Sequence, residues 1–68
     1  MTNAQIRAHR IRKRREDRGF TQAELADQCK LHRTFIGSVE RGERNVSILN
    51  LRTIAKALRM GLGELLAG

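Results

Sequence analysis

Arg33, Thr34, Gly37, Ser38 and Arg41 fall at i, i+1, i+4, i+5 and i+8, a spacing that an α-helix gathers toward one side. Their chemistry is recognition, not bond making. A guanidinium presents a planar fork of donors that pairs bidentately with guanine O6 and N7. Hydroxyls donate and accept, so Thr34 and Ser38 suit either base type or a phosphate. Arg33, Thr34 and Ser38 are therefore the candidates for reading base edges. Gly37 in mid-helix costs about 1 kcal/mol relative to alanine and leaves bare backbone for close approach. Gln22 opens an earlier helix, where a side chain and N-terminal amides can together meet a phosphate. No nucleophile–base set, carboxylate pair or phosphate loop is recognisable, so an enzyme is not expected. One cysteine, Cys29, and two histidines, His9 and His32, make no zinc set, and neither metal nor cofactor is expected.

These side chains need a scaffold, and the flanking residues describe one. In the helix predicted over 33–41, Phe35, Ile36 and Val39 gather on the side that must be buried, and Gly42 ends it. Before it, Thr21 and Glu24 form a capping box, Phe20 staples onto Leu25, and a short helix buries Leu25, Ala26 and Cys29. Lys30, Leu31 and His32 make the turn. Two short helices joined tightly, the second with a basic and hydroxyl-rich face, have the layout of a helix-turn-helix laid into the major groove of double-stranded DNA.

Upstream, residues 4–18 favour helix despite a thin stripe of Ile6, Ala8 and Ile11, and Gly19 stops it. Downstream, 43–46 reads as a polar loop. Ser47 caps a helix striped by Ile48, Leu51, Ile54, Ala55 and Leu58. A last short helix near 63–66 lays Leu62, Leu65 and Leu66 over the core. The expected fold is all-α, a compact five-helix domain across residues 1–68.

Charge points the same way. The 68 residues hold 14 Lys+Arg against 7 Asp+Glu, a formal net charge of +7. Residues 1–18 alone set seven cations against Glu16 and Asp17, a net of +5. Such an excess implies a polyanion: nucleic acid first, anionic membrane second. The weak apolar face of the first helix, without tryptophan or phenylalanine, argues against a membrane surface. No apolar run approaches the roughly 20 residues that cross a bilayer, and no signal peptide is evident. With its single cysteine, the chain is expected in the reducing cytoplasm, at the nucleoid. A core of this size supplies only about 3–5 kcal/mol, so a partner copy is a natural source of further stability. Leu49 lies off the main stripe; with Leu62 and Leu66 of the last helix it is the candidate dimer patch.

The pattern TQ-x2-LA-x4-L-x-R-x2-I-x2-VERG, followed by NVS and IAKAL…ELL, resembles the lambda-repressor-like Cro/C1-type (Xre) family across residues 10–66. In style it is nearest to the controller proteins of restriction–modification systems. The resemblance implies a sequence-specific transcriptional regulator, acting as a homodimer on a near-palindromic operator. It implies phosphate contacts by Gln22, His32, Arg41, Arg44 and Asn45. It also implies an interhelical salt bridge between Arg15 and Glu40. Relatives often carry glycine where this chain has Lys30 and Arg59. A left-handed backbone there costs a non-glycine residue about 1–2 kcal/mol, although cations near helix C-termini are favoured and Lys30 is also in reach of a phosphate. The alternative is a protein-interaction module, antitoxin-like or adaptor, that uses DNA secondarily.

Overall fold

Hydroxyl caps set the start of three helices in the computed structural model, which describes residues 2–67. Thr2 opens α1 (Asn3–Asp17), Thr21 opens α2 (Gln22–Cys29) and Ser47 opens α4 (Ile48–Ala57). Helices α3 (Arg33–Glu40) and α5 (Leu62–Leu66) complete the order, and no strand occurs among the described residues. Thr2 and Thr21 each form the full capping box, with Gln5 and Glu24 reaching back to the cap amide. The Thr2 box, unread in the sequence, starts α1 at Asn3 instead of residue 4.

Four helix ends close by one device. Phe20 N–H donates to Arg15 O, Leu31 to Ala26 O, Glu43 to Ser38 O and Met60 to Ala55 O. Each closure needs a left-handed residue just before the donor. Those residues are Gly19 (φ 74°), Lys30 (φ 56°), Gly42 (φ 72°) and Arg59 (φ 54°). The two suspected cations thus do occupy the glycine-favouring conformation. Gly42 is needed for space as well, since a Cβ there would lie 3.0 Å from Gln5 Cγ and 3.3 Å from Gln5 Cα.

Ile11, Leu25, Ile36, Ile54, Leu58 and Leu65 form the fully buried centre. Helix α3 packs on α1 and α2, α4 on α2 and α5, and α1 on α5. Ile48 does not join the stripe expected of it: it is 51% exposed at the first position of α4. Val46, one residue before the Ser47 cap, packs on the core instead and lines the same crevice as Leu51. That is the staple geometry of Phe20 and Leu25 repeated, and it turns Ile48 outward.

Two arginines of α1 fasten it to the end of the described chain. Arg10 donates to the carbonyls of Leu65 (3.1 Å) and Ala67 at the end of α5. Arg14 donates to Glu64 (2.8 Å) and to Arg59 O (3.3 Å). None of the described helices is long and apolar enough to cross a membrane.

Candidate nucleic-acid interface

The last turn of α3 is anchored before its first turn is free to do anything. Glu40, its side chain 2% exposed, accepts from Arg15 Nε at 2.7 Å and Arg15 Nη2 at 3.0 Å. Arg15, 11% exposed, also donates through Nη1 to Phe20 O at 2.7 Å. The hydrogen bond to Glu40 raises the guanidinium's pKa, against the opposing effect of burial. A paired, nearly buried carboxylate of this kind holds α1 and α3 in one geometry.

Gln22 belongs to this network. Its Nε2 donates to Glu40 Oε1 at 3.2 Å and the residue is half-buried. The side chain expected at a phosphate is therefore engaged by a protein carboxylate. Gly37 is buried too, and a Cβ there would stand 3.2 Å from Arg41 Nη1 and 3.5 Å from Gln22 Oε1. Those two side chains, not an open surface, lie over it.

Ser38 is the clearest correction to the expected base-reading set. It is 6% exposed, and its hydroxyl donates to Phe35 O at 2.7 Å while accepting from Arg44 Nε at 2.8 Å. A serine that bonds back to its own helix turn, accepts from a loop arginine and is buried does not present its hydroxyl to a base. Neither the polarity of Ser38 nor its helical register reveals this, because the cover comes from Arg44, six residues on.

Arg33 and Thr34 do stand open. Both are exposed in the first turn of α3, and no protein group bonds either side chain among the described residues. His32 precedes them as an exposed N-cap whose imidazole makes no capping bond, and Lys30 is exposed in the turn. Beyond the helix, Arg41 pairs with Glu43 at 2.8 Å, both exposed, and this holds the Glu43 carboxyl below its usual range. Arg44 lies over the Phe35 ring, 5.3 Å from its centroid, and Asn45 is exposed beside it. Lys30, His32, Arg33, Arg41, Arg44 and Asn45 thus flank one short helix at its two ends.

Away from this surface, the Cys29 thiol is buried and raised in pKa by that burial, so it is little disposed to form a thiolate. No group of three metal-ligating side chains gathers among the described residues.

A short anchored helix that follows another helix and a tight turn, with an exposed first turn, is a helix-turn-helix unit. The helix-turn-helix family HTH_3 matches residues 11–65, and the chain belongs to it. Among its relatives is the control protein C.SmaI of Serratia marcescens, 45% identical over 62 residues that cover 91% of this chain and 74% of that one. Among solved structures, the hypothetical transcription factor NHTF from Neisseria superposes with a TM-score of 0.92 at 35% identity, covering 96% of this chain and 75% of that one. The restriction–modification controller protein C.AhdI from Aeromonas hydrophila superposes with a TM-score of 0.87 at 39% identity, covering 91% and 94%.

Proposed function

We propose that this DNA-binding transcriptional regulator acts as a homodimer that lays α3 of each copy into the major groove of a near-palindromic operator. One observation carries the reading: Arg33 and Thr34 stand exposed, without a partner among the described residues, at the start of a helix whose far end is locked by Arg15 and Glu40. Arg33 reads a guanine edge, a contact worth about 1–3 kcal/mol of discrimination, and Thr34 touches a neighbouring base or phosphate. Lys30, His32, Arg41, Arg44 and Asn45, with the first amides of α2, meet phosphates and set the register.

Among the described residues, Leu49, 67% exposed, and Ile48, 51% exposed, are the large apolar side chains left in water, and the second copy covers them. Leu62 and Leu66 are already half-buried against the core, so they border the contact instead of forming its centre. Half-sites then lie about 34–36 Å apart, one duplex turn. The controller names of C.SmaI and C.AhdI support this reading.

Selection from a random duplex pool tests it, followed by titration of the recovered sequence and of random duplex in ~150 mM salt. A recovered near-palindrome bound well above random DNA is expected. Equal binding of both would sink the reading in favour of a protein-interaction module.

A further inference from the structure

We infer that Ser38 is a positioning residue that holds Arg44 ready for the DNA backbone without touching DNA itself. The inference rests on the proposed operator reading and assigns a hydroxyl that this reading leaves without a part.

Two contacts constrain the Arg44 side chain, and one competitor for it is removed. The Ser38 proton is committed to Phe35 O, which aims an oxygen lone pair at Arg44 Nε 2.8 Å away. The Phe35 ring lies beneath the guanidinium, 5.3 Å from centroid to Cζ, and is itself half-buried against the core. Glu43, the nearby acid that would compete for Arg44, is engaged by Arg41 instead. With Nε bonded, the Nη1/Nη2 edge remains, and no protein acceptor meets it among the described residues. That edge is the bidentate fork that suits a phosphate. An arginine fixed before binding loses less rotamer freedom when it docks.

The test is a double-mutant cycle on the selected duplex, using Ser38→Ala, Arg44→Ala and the double variant. Ser38→Ala is expected to weaken binding about three- to tenfold, the range for freeing one rotamer-rich side chain. In the Arg44→Ala background, Ser38→Ala is expected to add nothing. A merely structural serine would lower affinity equally in both backgrounds and in step with thermal stability, and that additivity overturns the inference.

A second readout needs no DNA. The Arg44 Nε–H resonance, assigned by its loss in Arg44→Lys, is expected to be displaced from the free-arginine position and to return there in Ser38→Ala. A free-arginine position in the unaltered protein also overturns the inference. Failure of the unaltered protein to prefer any duplex removes the operator reading and this inference together. Preferential binding with additive losses removes this inference alone.

Discussion

At the first turn of α3, Arg33 and Thr34 are exposed and bonded by no protein group among the described residues, whereas at the last turn Glu40 is buried under three hydrogen bonds from two other helices. The same eight-residue helix thus offers donors at one end and consumes them at the other. A side chain that must choose among ligands needs unmade bonds. The helix that carries it needs made ones, because a helix this short has little stability of its own. Arg33 and Arg15 have the same side chain, yet Arg15 is committed to Glu40 and Arg33 bonds no protein group among the described residues.

Breaking the anchored end has the largest expected effect. Glu40→Ala leaves Arg15 nearly buried and unpaired, at a cost of about 3–5 kcal/mol. A core of this size supplies about that much, so the variant is expected to show little helical signal by circular dichroism at 25 °C. Breaking the open end is expected to spare the fold. Arg33→Ala should keep the unfolding midpoint while losing about 1–3 kcal/mol of discrimination at one base pair per half-site. Arg44→Ala, in contrast, should weaken all duplexes alike and flatten the salt dependence. Uniform loss from Arg33→Ala as well would demote Arg33 to a phosphate contact.

The turn that delivers the open end is the next place to sharpen the contrast. Lys30→Gly relieves a left-handed lysine and is expected to raise stability by about 1 kcal/mol in urea titrations, while binding weakens most at low salt. The smallest effect concerns Glu24 of the α2 capping box. The Thr21 amide, then the Thr21 hydroxyl, holds its carboxyl below the usual range. A lowered folded-state pKa makes the contribution complete above the unfolded carboxylate's pKa and lost as pH falls through the folded one. Glu24→Gln, which keeps an acceptor oxygen, is expected to flatten this part of the acid limb in melts taken between neutral pH and the carboxylate range.

What could be read before the fold was known were local rules with nearby partners. Thr21 and Glu24 are three residues apart, Gly19 and Gly42 stop their helices by backbone preference, and both capping and stopping hold as expected. The resemblance supplied the Arg15–Glu40 pair, and the structure contains it. The misses are long-range or set by occlusion. Ser38 looked like surface because its neighbours in sequence are polar on that side, and a loop arginine covers it. Ile48 fits the apolar period of α4 but sits beyond the edge of what α4 packs against. Gln22 was placed correctly at the start of α2, yet its side chain answers to a glutamate 18 positions later.

The ties from Arg10 and Arg14 to the far end of the chain have a kinetic side. Arg10 reaches Leu65 O across 55 positions, and Arg14 reaches Glu64 across 50. Closing loops of that length carries an entropic penalty that local helix formation avoids, so α5 is the element expected to dock last. Five residues are too few to persist alone, so α5 is expected to open as a separate unit, its amides exchanging with solvent ahead of those around Ile36 and Ile54 in a hydrogen-exchange measurement. Its release uncovers Leu65 and two arginines together, a greasy spot ringed by charge. The hold on α5 is thus made by the same residue type that, at the start of α3, bonds no protein group among the described residues.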